Sequence, residues 1–569
     1  MTRRIKWTIV AFLFNNPYGV KEHRFFSAEG IIMRNPPTPT PDGRRSRGRG
    51  DRVMAGLAIA IGAALAFTGT TTALASPADE PGPRSVTALS PASPEVSAVI
   101  SSFTPHGCTD PSLPITAEES RITALLPDSE DPSKPADRTF AREMVEGAGF
   151  GTWTASFSDR LCAQTSLVKA TEVVKKLGTQ LWRDAIKRAQ SEGPVKGDLP
   201  ASDDRPLYWI RVEALSVLHQ WDAPFAMTTA QRADLVDEFD KAARGIDDIS
   251  FPAGNVTRVL VSGFDPYTLD GGTFGTAENT VGNNIRHGNP SGATALSIDG
   301  TKTKDPNGTV IVYEAYMLPV NYPEFERGYL EDTVGPLMRP GKRQLDASIT
   351  VSQAGGSQFN LEQWNGRYHG VSLGNDRYAP CPTLGGVPQL AVDNIGCNTQ
   401  VPDRWGGGDT LTDPPQWTSA TLPIEKMIAA RTGSDIPRPP GDTWPDESVA
   451  FGTVWNTNYS YFADCSSAEV TSVAQREVAY PPSTAPTPPP ADSCSRSGAG
   501  GAYLSNESAY RNTLLRDRLG LTIPAGHIHT PGMQNFASDF AVSDEVFDAW
   551  RNAIAAQTRQ LIHVVGENS

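Results

Sequence analysis

The chain has 569 residues, a formal net charge of −14 and six cysteines. This length is sufficient for two or three domains. Residues 1–75, which resemble a leader, carry a net charge of +7, so the rest of the chain has a net charge of −14 − 7 = −21. So strong a negative charge argues against binding to nucleic acid or to an anionic lipid surface.

Residues 1–75 have the features of a discarded leader. An arginine-rich stretch at 44–52 precedes an apolar run at 54–67, and small residues at 73–75 offer a cleavage site. This pattern predicts a secretory signal peptide and therefore an extracellular protein. The apolar run is short for a membrane span, and no later segment reaches about twenty apolar residues. A retained membrane anchor is therefore the less favoured alternative, and no stable membrane insertion is expected after cleavage.

Two different segments follow the leader. Residues 76–135 are rich in Pro, Ser, Asp and Glu, which predicts a linker or a loosely ordered lead-in. Residues 136–250 follow a helical rhythm, with one helix expected from Pro206 and another from the capping-box sequence at 228–231. His219 and the tryptophans of this region are expected in the core rather than as ligands. A third predicted helix carries an apolar stripe at three- and four-residue spacing, formed by Leu167, Ala170, Val174, Leu177, Leu181 and Ala185.

From residue 251 to residue 569 short β-rich runs alternate with helical segments. Such alternation predicts an α/β domain, a three-layer α/β/α sandwich with a largely parallel central sheet, preceded by the helical extension. A Pro-rich stretch at 481–490 interrupts it as a stiff extended excursion. The predicted strands are 258–263, 309–313 and 347–352, and the predicted helical segments include 294–298 and 322–334.

All six cysteines lie after the predicted leader. An even number in an exported chain indicates three disulfides. The chain has no Cys-x-x-Cys pair and no His-x-x-x-His cluster, so we expect no structural zinc, no other metal and no cofactor. Sequence order favours three pairs among the fifteen possible connectivities: Cys108 with Cys162, Cys381 with Cys397, and Cys465 with Cys494.

A candidate nucleophile and a candidate general base lie near the end of the chain. Ser505 stands where a glycine-rich turn runs into a helical pattern, and His529 follows twenty-four residues later. The free N–H groups of that helix's first turn are suited to stabilising an acyl-transfer oxyanion. Taken alone, Ser505 is more readily explained as a helix N-cap, a common role of Ser before an apolar-periodic run.

Polar motifs also follow several predicted strands, which is where active sites of open α/β sheets lie. Seven blocks occur in order: VLVSGFDPY (259–267), NPSGATAL (289–296), MLPVNY (317–322), SQAGG (352–356) with Glu362 after it, SATLPIEKM (419–427), GAYLSN (501–506) and GHIHTP (526–531). In this order the blocks resemble the motifs of type I pyroglutamyl peptidases, also called pyrrolidone-carboxylate peptidases. These are cysteine peptidases that remove an N-terminal pyroglutamyl residue, and the resemblance covers roughly half of the chain.

The resemblance implies a set of site residues. It places Ser505 at the family's catalytic cysteine, His529 at its histidine and Glu362 at its glutamate. In the family a thiolate attacks the carbonyl that links pyroglutamate to the next residue, the histidine transfers the proton, and the glutamate orients the imidazole. His527 is the neighbouring alternative to His529, but we expect strand alternation to point it to the opposite face. The residues expected to hold the lactam ring are Phe264 and Tyr267, by packing, and Gln353, by hydrogen bonding.

Serine in place of cysteine is the main departure from the family pattern. A hydroxyl is far less acidic than a thiol, so Ser505 would depend on His529 for activation, although serine escapes the oxidation that threatens an exposed thiol outside the cell. We therefore expect a secreted hydrolase that acts through a Ser-His-Glu triad on N-terminal pyroglutamyl or related residues, with a peptide or small amide as substrate. The alternatives are a catalytically inactive binding protein that keeps the pocket, and a serine esterase or amidase.

Overall fold

The computed structural model describes residues 108–368, 370, 372–379, 411–465, 467, 469–474, 476–477, 482, 485–533 and 535–569. The predicted leader and the predicted Cys381–Cys397 pair lie outside the described residues. The described residues all belong to one compact unit. Within the described ranges, no helix is both long enough and apolar enough to cross a membrane.

In the described part of the chain, five α-helices form the extension that precedes the sheet. The predicted stripe lies on one of them, and five of its six residues are buried, Leu167 being the exception. The predicted capping box at Thr228 is present, with reciprocal side-chain and backbone hydrogen bonds to Gln231. The helices are α1 (Phe140–Gly147), α2 (Trp153–Cys162), α3 (Leu167–Ala189), α4 (Arg205–His219) and α5 (Thr229–Ala243).

The structure differs from the prediction of a loose lead-in for residues 108–135. This segment contains a 3-10 helix, Glu119–Thr123, whose Arg121 and Ile122 are buried. Its backbone also pairs with a later loop, since Val281 N–H donates to Leu125 O at 2.9 Å. Contacts with residues distant in sequence order this segment. Its few apolar residues show no periodicity, so no local pattern predicts these contacts.

The strands of the described chain are β1 (Val256–Phe264), β2 (Lys302–Lys304), β3 (Val310–Leu318), β4 (Ala347–Gln353), β5 (Gln358–Glu362), β6 (Trp364–Gly366), β7 (Trp417–Ser419), β8 (Gly452–Asn456), β9 (Tyr459–Phe462), β10 (Val470–Val473), β11 (Arg476–Glu477), β12 (Cys494–Ser497) and β13 (Ala525–Thr530). Eight of them form the central sheet, in the order β11-β8-β5-β13-β4-β1-β3-β2. Its middle strands β13, β4, β1 and β3 are mutually parallel, whereas β5 runs antiparallel to β13. The others form two small sheets, β10-β9-β12 and β6-β7.

Helices cover both faces of this sheet, which confirms the predicted α/β sandwich. On β1, Val259 belongs to one hydrophobic cluster and Leu260 to the other, as expected for a strand buried on both faces. The α-helices described in this part are α6 (Pro290–Ile298), α7 (Tyr322–Glu326), α8 (Tyr329–Met338), α9 (Ile424–Ala429), α10 (Leu504–Arg518) and α11 (Glu545–Glu567). Helices α6 and α11 pack on the face of the Val259 cluster, and α8 and α10 on the face of the Leu260 cluster.

The helical extension and the sheet share a single hydrophobic cluster. Trp209 of α4 and Phe239 of α5 belong to the same buried cluster as Val259 of β1 and Ile554 of α11. The division of the chain near residue 250 therefore separates two types of secondary structure and not two independent cores.

Two of the three predicted disulfides are present. Cys108 is bonded to Cys162 with their Cα atoms 5.8 Å apart, and Cys465 is bonded to Cys494 with their Cα atoms 5.1 Å apart. The second bridge lies at the start of β12, and so ties off the Pro-rich excursion a few residues before the turn that leads to Ser505.

The buried carboxyl group of Glu213 on α4 makes stability depend on pH. Only 3% of this residue is exposed, one carboxyl oxygen accepts from Thr154 Oγ1 at 2.6 Å, and the other has no partner among the described residues. Burial raises the pKa of Glu213 from 4.5 to about 7. The folded state therefore keeps a proton that the unfolded chain releases, and the resulting stabilisation is lost as the pH rises from about 4.5 to about 7.

We expect Glu213→Gln to raise the melting temperature at pH 8, where the natural protein must bury a carboxylate, and to give no gain at pH 4.5. The pKa difference corresponds to about 3 kcal/mol at most. Thermal unfolding followed by circular dichroism at several pH values measures the effect. An equal gain at both ends of the range would contradict this explanation.

Candidate active site

Three of the sequence motifs meet at one edge of the central sheet. Strands β1, β4 and β13 are parallel, so their carboxyl ends lie together. In the β13–β4 register His529 is opposite Ser352, and Thr530 is opposite Gln353. Asp265, Ala354 and Pro531, the residues that directly follow the three strands, therefore lie at the same edge of the sheet. This is the edge where α/β proteins place their active sites.

A buried carboxylate and an imidazole form a hydrogen bond at this edge. Glu362 is the last residue of β5 and is fully buried, and its Oε1 lies 2.6 Å from Nδ1 of His529. Antiparallel pairing puts Glu362 directly opposite His527 and diagonal to His529, a separation that a glutamate side chain can span. With Nδ1 donating to the carboxylate, Nε2 of His529 is the nitrogen left to accept a proton.

A glycine-rich turn covers Glu362 from the other side. Gly498 and Gly501 exchange backbone hydrogen bonds of 2.9 and 3.1 Å, and Gly501 has φ +86°, a conformation that favours glycine. At Gly500 a Cβ atom would lie 2.4 Å from Glu362 Oε2, so only glycine fits there. The turn keeps water from the carboxylate, and the Gly-Ala-Gly-Gly run at 498–501 was the sequence signal for it.

Ser505 lies in the first turn of the helix that follows this glycine turn. It is the second residue of α10, and the N-cap is Tyr503, whose side chain makes no capping hydrogen bond. The interpretation of Ser505 as the N-cap is therefore wrong. Its side chain is half-buried, and no described residue forms a hydrogen bond with its hydroxyl. The residue before it, Leu504, is buried in the cluster that also contains Phe264 at the end of β1.

Two of the three predicted pocket residues are in direct contact. Gln353 Nε2 donates to the Tyr267 hydroxyl at 2.9 Å, and Gln353 Oε1 accepts from Met533 N–H at 3.0 Å. Phe264 differs from the prediction because it is only 3% exposed and its ring stacks on Phe325. It belongs to the core beneath the strand end and presents little surface to a ligand.

His527 lies on the same face of β13 as His529, and the prediction of opposite faces was wrong. Residues two apart on a strand share a face, and the two imidazole centroids are 5.0 Å apart. Nδ1 of His527 lies 2.7 Å from Thr350 Oγ1 and its Nε2 lies 2.8 Å from Ser352 Oγ. Burial, with a smaller effect of His529, lowers the pKa of His527 well below its usual value. His527 is therefore a neutral core residue with both ring nitrogens occupied, and His529 is the candidate base.

In the described chain, possible metal-ligand atoms cluster at Glu362, His527 and His529. The ligand atoms of Glu362, His527 and His529 all lie within 4.8 Å of one another. Two imidazoles and a carboxylate form the donor set of many catalytic zinc sites. Here each imidazole is already hydrogen-bonded, and Gly500 covers the second oxygen of Glu362. These contacts fit a hydrogen-bonded catalytic pair better than a metal site.

Fold and site define an α/β protein with a buried Glu-His pair at the carboxyl edge of its sheet. A family model described as the PA0049 N-terminal domain matches residues 100–240, and a second model, described as the PA0049 C-terminal domain, matches residues 258–534. The uncharacterized protein PA0049 of Pseudomonas aeruginosa PAO1 is 42% identical over 499 residues, which are 79% of this chain and 89% of that relative. The chain therefore belongs to the PA0049 family.

Solved structures of a hyperthermophile enzyme are distantly similar to this chain. A point mutant of pyrrolidone carboxyl peptidase from Pyrococcus furiosus has 16% identity and a TM-score of 0.29, over 55% of this chain and 99% of that chain. A second structure, described with a cysteine-free mutant of the same peptidase, has 15% identity and a TM-score of 0.29, over 54% of this chain and 100% of that chain.

Proposed function

We propose that the protein is a serine hydrolase in which Ser505 is the nucleophile, His529 the general base and Glu362 the group that orients the imidazole. The observation that carries this proposal is the buried Glu362–His529 hydrogen bond of 2.6 Å at the carboxyl edge of the sheet. A carboxylate that fixes one ring nitrogen and leaves the other available is the arrangement that a general base requires.

Two features of the chain around Ser505 support its role. Gly500 lies against the carboxylate of Glu362, and Ser505 follows five residues later, in the first turn of α10. The first turn has no side-chain cap, so its N–H groups and the positive end of the helix dipole are available to an oxyanion.

In the proposed reaction Ser505 Oγ attacks the carbonyl carbon of the substrate, and His529 Nε2 takes the hydroxyl proton. The carbon–nitrogen bond then breaks, and Nε2 gives this proton to the departing amine. A water molecule attacks the acyl-serine and passes one proton to Nε2, which returns it to Ser505 as the acid leaves. Glu362 orients the imidazole and stabilises the imidazolium that forms in each step.

The ordered motifs support an N-terminal pyroglutamyl residue as the acyl part of the substrate. The Tyr267 hydroxyl accepts a hydrogen bond from Gln353 and still has its own proton to donate to a lactam carbonyl. An extracellular site of action is part of the proposal, supported by the predicted signal peptide and by the two disulfides.

The wild-type protein is expected to release 4-nitroaniline from pyroglutamyl 4-nitroanilide. Prolyl 4-nitroanilide is the matched control, because it has the same ring without the lactam carbonyl, and we expect its kcat/KM to be lower by at least about a hundredfold. Absorbance at constant enzyme concentration measures both. Hydrolysis of 4-nitrophenyl acetate without cleavage of either anilide would indicate an esterase. Binding of a pyroglutamyl peptide without any turnover would indicate a silent binding protein.

A further inference from the structure

A closed ring of four buried charges joins the helical extension to the loop after β1. Arg211 Nη2 lies 2.6 Å from Asp265 Oδ2, and Arg244 Nη1 lies 2.7 Å from the same oxygen. Asp240 closes the ring, with its two oxygens 3.1 Å from Arg211 Nε and 2.6 Å from Arg244 Nε. The four side chains are between 1% and 10% exposed. Two positive and two negative charges therefore balance one another in the interior.

Three of the four members come from the helical extension. Arg211 is on α4, Asp240 is on α5, and Arg244 directly follows α5, whereas Asp265 is the first residue after β1. Burial acts to raise the pKa of Asp265, but Arg211 and Arg244 outweigh it and hold this pKa below its usual value. A buried charge is tolerated only when it is paired, so Asp265 is confined to the place where both guanidinium groups reach it.

Asp265 begins the loop after β1 that carries Tyr267, one of the predicted pocket residues. Its backbone is held as well, since its N–H donates to Leu318 O at 3.1 Å and its carbonyl accepts from Asn289 Nδ2 at 3.0 Å. Two residues later comes Tyr267, whose hydroxyl is joined to Gln353. A continuous set of contacts thus leads from two arginines of the extension to the edge of the sheet where the site lies.

We propose that Arg211 and Arg244 are positioning residues for the site: through Asp265 they fix the loop that carries Tyr267, and thereby set the affinity for the first residue of the substrate. The substrate part rests on the proposed function, whereas the positioning of the loop can be measured without it. The helical extension is on this account a component of the binding site, and residues 251–569 without it do not form a complete one.

Arg244→Lys tests the positioning in the full chain. Lysine keeps the charge, but its single ammonium group cannot bridge Asp240 and Asp265 as the planar guanidinium does. Hydrogen–deuterium exchange is expected to become about tenfold faster at residues 264–268, with α3 unchanged. Arg183→Lys is the matched control, because Arg183 of the same extension forms an exposed ion pair with Asp248, and it should exchange as the wild type does. Unchanged exchange in 264–268, or acceleration throughout the chain, would overturn the proposal.

Steady-state kinetics with pyroglutamyl 4-nitroanilide provide the second measurement. We expect KM to rise about tenfold in Arg244→Lys with kcat within about twofold of the wild type, as for a residue that acts on binding. A lower kcat at unchanged KM would overturn the assignment to binding. If the wild-type protein has no turnover, the proposed function fails while the exchange result still decides the positioning. Should Arg244→Lys not accumulate as folded protein, Asp265→Asn supports the same two measurements.

Discussion

Ser505→Ala is expected to lower kcat for pyroglutamyl 4-nitroanilide by at least about a thousandfold. Alanine removes the attacking oxygen, and the next hydroxyl along α10, that of Ser508, is fully buried. The melting temperature should stay the same, because the Ser505 side chain is half-buried and its hydroxyl has no hydrogen-bond partner among the described residues. Initial rates and thermal unfolding, measured on the same preparation, separate a loss of chemistry from a loss of fold.

Ser508→Ala is the matched control for this experiment. Ser508 lies one turn further along α10, is fully buried, and its hydroxyl donates only to the carbonyl of Ser505 at 2.8 Å. Its replacement should leave kcat close to the wild-type value. Turnover that survives Ser505→Ala would show that another group is the nucleophile. An inactive wild type that gains activity on Ser505→Cys would show that the serine silences a cysteine-type site.

Glu362→Gln is expected to lower kcat by about 10³ to 10⁴-fold while the protein remains folded. A glutamine amide that donates to Nδ1 of His529 forces the proton onto Nε2, so the imidazole can no longer accept a proton from Ser505. Glutamine has nearly the same shape as glutamate and keeps a hydrogen bond to Nδ1, so the melting temperature should stay close to that of the wild type.

Glu213→Gln provides the comparison, because Glu213 is an equally buried glutamate that accepts a hydrogen bond from a side chain of the helical extension. It should retain wild-type kcat. If Glu362→Gln keeps more than about a tenth of the activity, the Glu362–His529 hydrogen bond has a structural role only.

The structural features whose sequence signal lies within a few consecutive residues were predicted correctly. The apolar run of β1 and the capping box at Thr228 each occupy a few consecutive residues, and their physical signals are complete within that span. The Cys465–Cys494 bridge was predicted because its partners are neighbours in the order of cysteines. Glu362 and His529 were found through a resemblance to a family, and the structure places their side chains in contact.

The features that depend on distant contacts were not predicted. Residues 108–135 have the composition of a linker, and contacts with distant residues, such as the backbone pairing with the loop at 276–281, show that they are ordered. The ring that holds Asp265 joins residues from three parts of the chain. Asp240 and Arg244 have the i,i+4 spacing of a helical ion pair, but no local pattern indicates that Arg211 and Asp265 join them. The error about His527 has a different reason. Residues two apart on a strand share a face, and His527 and His529 are two residues apart.

Trp209 and Phe239 of the helical extension belong to the same buried cluster as Val259 and Ile554 of the sheet domain. A chain that contained residues 251–569 alone would therefore expose part of this cluster as apolar surface, and such surface promotes aggregation. A gene fusion or truncation with its boundary near residue 250 is expected to yield an aggregating product, whether or not the site keeps its geometry.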